Sequence, residues 1–97
     1  MIEFEWDPEK AKANLSKHRV GFAEAATVFR DPLSITVFDP DHSEKEDRYI
    51  TVGKSKGDRA VVVAHTDRGN KTRIISAREL TRAERKDYEE EIKRRTK

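Results

Sequence analysis

Alternating apolar and polar residues predict a strand and two helices in the first third of the chain. Apolar and acidic residues alternate over residues 2–6, which is the period-two pattern of a half-buried strand. Asp7 can cap a following helix and Pro8 can occupy its first turn, so we expect a helix from there to about His18. Apolar residues at helical spacing predict a second helix that ends before the Asp–Pro pair at residues 31–32.

The first predicted helix has two faces of different chemistry. Its apolar face holds three residues at positions i, i+4 and i+7, namely Ala11, Leu15 and His18. The same spacing gives a polar face, which holds Lys10, Asn14 and Lys17. We expect the apolar face to pack on the core and the polar face to be a platform for phosphate groups.

From residue 33 the apolar period changes to two, which predicts strands. We expect four of them, over residues 33–38, 48–53, 60–66 and 72–77, with an acidic loop at residues 39–47. The connections between the last three strands suit antiparallel hairpins and are too short for parallel crossovers. Thr81 and Glu84 form a capping box that begins a last helix, expected to reach about Arg94.

This order of elements predicts a single α+β domain over residues 1–97. An N-terminal strand and two helices precede an antiparallel four-stranded meander and a C-terminal helix. We expect the helices to lie on one face of the sheet.

The composition narrows the classes of function. Charged residues make up 41% of the chain and apolar residues 34%, and 21 basic residues stand against 19 acidic ones. The basic residues are clustered, so the fold could join them into a cationic patch for nucleic acid, although the same charges also suit an ordinary solvated surface. The absence of cysteine excludes disulfides and thiolate chemistry.

We expect a cytoplasmic protein without membrane contact, because the acidic first residues lack the apolar stretch of a signal peptide and no apolar run is long enough for a membrane span.

His65 and three arginines are the residues best suited to chemistry. His65 lies in the segment AVVVAHT on the same strand face as Val61 and Val63. It is either a half-buried, hydrogen-bonded residue or an imidazole that moves a proton. Three arginines at strands or strand ends could converge on one phosphate or could each be ion-paired separately: Arg48, Arg73 and Arg78.

His42 is expected to be solvated in the acidic loop, and the three histidines lack the spacing of metal ligands, so we expect no metal and no other cofactor.

Cleavage of RNA without a metal ion would use these residue types. In that reaction the 2′-hydroxyl of the substrate attacks the neighbouring phosphorus, and the protein supplies a base, cations and an acid. We expect the three arginines to hold the scissile phosphate and His65 to move a proton, while Lys10 and Lys17 attract the RNA backbone.

Four segments of the sequence resemble the BrnT family of ribonuclease toxins, which belong to type II toxin–antitoxin systems. The segments are WDPEKAKANLSKH, FAEAATVF, DPDHSEKEDRYITVG and RIISARELTRAER, and they occur in the order of the family. The resemblance implies a compact RelE-like fold and a ribonuclease activity that inhibits translation and growth. It also implies a BrnA-like antitoxin, which would form a hetero-oligomer with the toxin and bind promoter DNA through a ribbon-helix-helix part.

The family pattern also implies functional positions in this sequence. Beyond the residues assigned to catalysis, the positions expected to contact RNA are Lys10, Asn14, Lys17, His18, Tyr49, Thr66 and Ser76. Arg19 departs from the pattern, because the family usually carries glycine there, a residue that adopts positive φ without strain. We expect either that Gly21 makes the turn instead or that the end of the first helix is reshaped.

Two functions of other classes remain open at this point. The chain could be a noncatalytic nucleic-acid-binding domain that uses the same basic face. It could also be an interaction module that docks an antitoxin through the last helix or the strand that ends at Trp6.

Overall fold

The computed structural model describes residues 2–96 as five strands and three helices. The strands are β1 (Glu3–Glu5), β2 (Ile35–Phe38), β3 (Arg48–Lys54), β4 (Ala60–Arg68) and β5 (Lys71–Glu79). The helices are α1 (Pro8–His18), α2 (Phe22–Thr27) and α3 (Arg82–Arg95), with short 3₁₀ turns at Val28–Arg30 and Pro40–His42. In residues 2–96, none of the helices combines the length and the apolar character that a membrane crossing requires.

The five strands form one sheet in the order β1-β5-β4-β3-β2. Strands β2 to β5 follow one another in the chain, and each is antiparallel to the next. Strand β1 joins the free edge of β5 in the parallel direction and pairs only with Lys71, Thr72 and Arg73. The α+β class is therefore confirmed, while the parallel edge strand was not predicted, because a three-residue pairing carries no signal of its direction.

Both predicted helix caps are confirmed. The carboxylate of Asp7 accepts a hydrogen bond from the backbone N–H of Glu9 at 2.9 Å, and Pro8 is the first residue of α1. At α3, the Thr81 hydroxyl accepts from the backbone N–H of Glu84 while the Glu84 carboxylate accepts from the backbone N–H of Thr81. These side chains satisfy backbone donors that have no partner inside a helix.

The helices cover both sides of the sheet, so the prediction that they lie on one face is wrong. Val61 and Val63 are buried against α2 and the turns beside it, on the side that we call the α1–α2 face. Val62 lies between them in sequence and packs instead with Tyr88 of α3, on the side that we call the α3 face. Successive side chains of a strand point to opposite faces, so an uninterrupted apolar run needs cover on both.

The assignment of faces on α1 is also wrong at two positions. Leu15 is 52% exposed, whereas Asn14 is only 7% exposed. The Asn14 amide donates to the backbone oxygens of Val20 and Ala77 at 2.9 and 2.8 Å and accepts from the N–H of Ala77 at 3.1 Å. Strand β1 ends before it reaches Ala77, so the Asn14 side chain satisfies backbone groups that a longer strand would have paired.

Candidate phosphate-binding groove

The α3 face carries an open groove of about 340 Å³ between its loops and the end of α1. Its floor includes Ile50, Val62 and Ala64, three side chains of the central strands β3 and β4. Polar side chains surround this floor: His18, Asp39, His42, Arg48, Ser76 and Arg78. The apolar floor with a polar rim could hold a nucleotide ring and its phosphate.

A β-bulge brings separate residues of β5 onto this face. The register of β4 against β5 shifts between Ala64 and His65, and Ile75 is the extra residue opposite that step. Arg73 and Ser76 lie on either side of the bulge, so both belong to the α3 face despite their odd spacing. All three predicted arginines therefore share this face of the sheet, although Arg73 does not line the groove.

The three arginines differ in the carboxylate partners that they already have. Arg73 donates to the carboxylate of Glu5 at 2.8 Å. Arg78 makes two hydrogen bonds with the carboxylate of Glu84, at 2.7 and 3.0 Å. Within residues 2–96, Arg48 makes no ion pair, and its buried Nε has no hydrogen-bond partner. Arg48 is thus the arginine best placed to accept an added anion.

The carboxylate that pairs with Arg78 is ionised in neutral solution. Hydrogen bonds from Arg78 and from the backbone N–H of Thr81 lower the pKa of Glu84 from 4.5 to about 2. A phosphate at Arg78 would have to compete with this carboxylate, which also completes the cap of α3.

His65 does not join the arginines, because it lies on the α1–α2 face. The ring is 5% exposed and packs between Phe29, at 4.8 Å between ring centroids, and Tyr49, at 6.0 Å. Its Nε2 is 2.7 Å from the Thr51 hydroxyl, and its buried Nδ1 has no partner within residues 2–96. Burial lowers the pKa of His65, which favours the neutral ring. The expected meeting of His65 with the three arginines at one phosphate is therefore not found.

The other predicted RNA contacts fall into separate groups. His18 and Ser76 line the groove, while Lys10 and Lys17 are exposed on α1 but do not line it. Thr66 is 1% exposed and donates to the backbone oxygen of Asp47 at 2.6 Å. Asn14 satisfies backbone groups of β5, and Tyr49 shares the α1–α2 face with His65.

The end of α1 matches neither alternative expected for Arg19. Arg19 itself adopts the left-handed conformation, with φ 60° and ψ 27°, and its N–H donates to the Leu15 oxygen at 2.9 Å. Gly21 has an ordinary extended conformation with φ −80°. The helix therefore ends regularly at His18, whose side chain reaches the groove.

A pair that the sequence analysis missed is Asp39 with His42. The Nδ1 of His42 lies 2.8 Å from a carboxylate oxygen of Asp39, and both residues line the groove. The available signal was the spacing of three residues in the segment DPDH, in which Pro40 begins a short 3₁₀ turn. In a loop with many acidic residues, an aspartate three residues from a histidine does not by itself predict a contact. The sequence therefore predicts only that His42 is solvated.

The site and fold together define a small α+β protein with an arginine- and histidine-lined groove of a size and charge suited to phosphate. A family model described as "Ribonuclease toxin, BrnT, of type II toxin-antitoxin system" matches residues 6–84. The chain belongs to this family of ribonuclease toxins, and a type II toxin has an antitoxin as its partner.

One solved structure similar to this chain is that of the ribonuclease toxin BrnT of Brucella abortus. The two chains superpose with a TM-score of 0.62 and are 20% identical, and the match covers 84% of this chain and 100% of the Brucella chain. At that identity the similarity supports the fold. No curated protein matches the sequence.

Proposed function

We propose that this protein is a metal-independent endoribonuclease whose active site is the groove of the α3 face. The observation that carries the proposal is the state of Arg48, which lines the groove and has no carboxylate partner within residues 2–96. A guanidinium held beside a cavity, with donors to spare, suits the two oxygens of a phosphodiester.

In the proposed reaction, the ribose 2′-oxygen attacks the adjacent phosphorus. Arg48 stabilises the negative charge that develops on the phosphate. Arg78 and Arg73, on the same face, contribute when phosphate oxygens replace their carboxylate partners, Glu84 and Glu5. Ser76 is a hydrogen-bond donor at the β5 side of the groove. His18 takes over the proton transfer expected of His65, because His18 lines the groove and His65 is buried on the opposite face.

We also propose the finer features that the family resemblance implies. The partner is a BrnA-like antitoxin with a ribbon-helix-helix part, promoter DNA is contacted through that antitoxin, and the toxin acts on cytoplasmic RNA. Family membership supports the pairing, and the single sheet flanked by helices supports a RelE-like classification of the fold.

The test is cleavage of a defined RNA by the purified protein in excess chelator. We expect cleavage to persist, to leave 2′,3′-cyclic phosphate ends and to stop when the nucleotide 5′ of the cut carries 2′-deoxyribose. Arg48→Ala should lower kcat/KM by about 10²–10³, the usual loss for one donor to a developing negative charge.

Arg85→Ala is the matched control, because Arg85 is an exposed arginine of α3 that does not line the groove. Loss of all cleavage in chelator would contradict metal independence. Tight RNA binding without any cleavage would instead favour a noncatalytic binding domain.

A further inference from the structure

The loop between β2 and β3 is tied to Arg48 by a set of hydrogen bonds. The N–H of Asp39 donates to the backbone oxygen of Arg48 at 2.8 Å. The Ser43 hydroxyl donates to the backbone oxygen of Asp39 at 2.6 Å and accepts from the N–H of Arg48 at 2.9 Å. At the far end, the buried Thr66 hydroxyl holds the backbone of Asp47. Most side chains of the loop are exposed. Its two ends are nevertheless held together by these hydrogen bonds, next to Arg48, which makes no ion pair within residues 2–96.

Within this loop, Asp39 is mostly buried and His42 is mostly exposed. A carboxylate that positions a histidine can be buried, but a histidine that takes a proton from a substrate must be accessible. The Asp39 side chain is 15% exposed and the His42 side chain is 67% exposed. Because a carboxylate oxygen accepts and cannot donate, the short contact fixes the proton of the neutral ring on Nδ1. The lone pair is then on Nε2, which makes no hydrogen bond within residues 2–96 and remains available to a substrate.

The two imidazoles of the groove enter it from different strands. His42 belongs to the loop that leads into β3, and His18 ends the helix that packs against β5. Strands β3 and β5 are two positions apart in the sheet, which corresponds to roughly 10 Å, with β4 between them. A phosphodiester lying across β4 would thus have one imidazole at each margin and Arg48 on the His42 side.

We propose that His42 is the general base of the groove and that Asp39 is its positioning residue. This assignment rests on the proposed ribonuclease function. The Nε2 of His42 accepts the proton of the ribose 2′-hydroxyl while the 2′-oxygen forms a bond to phosphorus. The bond from phosphorus to the 5′-oxygen breaks, and that oxygen takes a proton from His18, which leaves a 2′,3′-cyclic phosphate and a 5′-hydroxyl. The proton then returns from His42 to His18 through solvent.

The first test compares kcat and KM of His42→Ala with those of the parent protein on the same RNA. We expect kcat to fall by about 10²–10⁴, the range for loss of one acid–base group, while KM changes little. Added imidazole should restore part of the activity of His42→Ala and none of the activity of Arg48→Ala.

The second test uses two matched aspartates of the same loop. Asp39→Asn and Asp41→Asn each remove one negative charge, but Asp39 holds His42 whereas the Asp41 side chain makes no hydrogen bond within residues 2–96. We expect Asp39→Asn to lower kcat, by less than His42→Ala, and to change the ring ¹⁵N shifts of neutral His42 away from a pure Nδ1–H tautomer. Asp41→Asn should leave both readouts unchanged.

Retention of the parent kcat by His42→Ala, or equal behaviour of the two aspartate variants, would overturn the assignment of His42 and Asp39 and leave the proposed ribonuclease function intact. If the parent protein itself leaves RNA uncut, the ribonuclease function and this inference both fail. Thermal unfolding of each variant separates loss of the loop structure from loss of the base.

Discussion

The two faces of the sheet place their polar side chains in different surroundings. On the α1–α2 face, His65 is enclosed by two aromatic rings and hydrogen-bonded to Thr51. On the α3 face, Arg48 (of β3) lines an open groove and makes no ion pair within residues 2–96. His65 is closed off from solvent and packs in the core, whereas Arg48 has no carboxylate partner and lies where a ligand can enter. The presence of a histidine or arginine on a strand is therefore less informative than the face on which it lies.

This comparison predicts that substitutions on the two faces have separable effects. A change on the α1–α2 face removes buried contacts, so it should reduce the free energy of unfolding. A change at an exposed or half-exposed polar residue of the groove should reduce cleavage and leave the fold largely unaffected.

Among substitutions that test the comparison of the two faces, Arg48→Lys has the largest expected effect on cleavage. Lysine keeps the positive charge but loses the planar pair of donors, so we expect kcat/KM to fall by about 10²-fold. The free energy of urea unfolding should change by less than about 0.5 kcal/mol, as for surface substitutions. Arg85→Lys is the control on α3. Full activity of Arg48→Lys would mean that charge alone is needed at this position.

His65→Ala should have the opposite effect: a large loss of stability and little change in cleavage. Removal of the buried ring leaves a cavity beside Phe29 and Tyr49 and takes away the hydrogen bond to Thr51, so we expect a loss of roughly 2–4 kcal/mol in the free energy of unfolding. Specific activity per folded molecule, measured below the unfolding transition, should stay within about twofold of the parent, well under the 10²-fold effect of a lost acid–base group. A stable His65→Ala protein without activity would restore His65 as a catalytic candidate.

The strands, helices and caps could be predicted from the sequence because their signals are local. The alternation of residues 2–6, the Asp7–Pro8 start of α1 and the Thr81–Glu84 capping box all act within a few residues. Even the face of His65 was predicted correctly, since it shares that of Val61 and Val63.

The site was harder to predict because it depends on contacts between distant segments. The bulge at Ile75 decides which arginines share a face, and a single strand sequence does not show where its partner shifts register. Helical spacing alone assigns Asn14 to the wrong face of α1, because its role depends on how far β1 extends along β5. The pairing of His42 with Asp39 depends on a loop fold that Ser43 and Thr66 fix through backbone contacts.

The pH dependence of stability offers a finer test of the buried face. Burial holds the pKa of His65 below its ordinary value of 6.5, so below that pH the unfolded chain takes up a proton that the folded protein resists. The free energy of unfolding should therefore fall as the pH decreases below about 6.5, by at most about 1.4 kcal/mol per pH unit for one proton, and level off at the folded pKa. Urea unfolding at pH 7.5 and 5.5 measures the fall, and His65→Gln should reduce it. An equal slope in His65→Gln would assign the dependence to other groups.

Glu84→Gln tests whether the carboxylate restrains Arg78 on the groove face. Glutamine can still complete the capping box, so α3 should keep its first turn while Arg78 loses its anionic partner. We expect RNA affinity to increase several-fold, or about 1 kcal/mol, on the scale of one ion pair. Glu89→Gln makes the same change of charge at an exposed position of α3 and is the control. Equal affinity gains in both variants would reflect net charge alone.

The smallest expected effect is that of Arg19→Gly, at the turn between α1 and the groove. Arg19 occupies the left-handed region at φ 60°, where a side chain is strained and glycine is not. Its backbone contacts, the N–H to Leu15 and the oxygen to Arg59, survive the substitution. Glycine also gives the unfolded chain more freedom, which offsets part of the gain, so we expect an increase of about 0.5–1 kcal/mol in the free energy of unfolding. Because His18 precedes this turn, its position at the groove should be kept, and cleavage should stay at the parent rate. A faster or slower Arg19→Gly enzyme with unchanged stability would show that the strained turn controls the placement of His18.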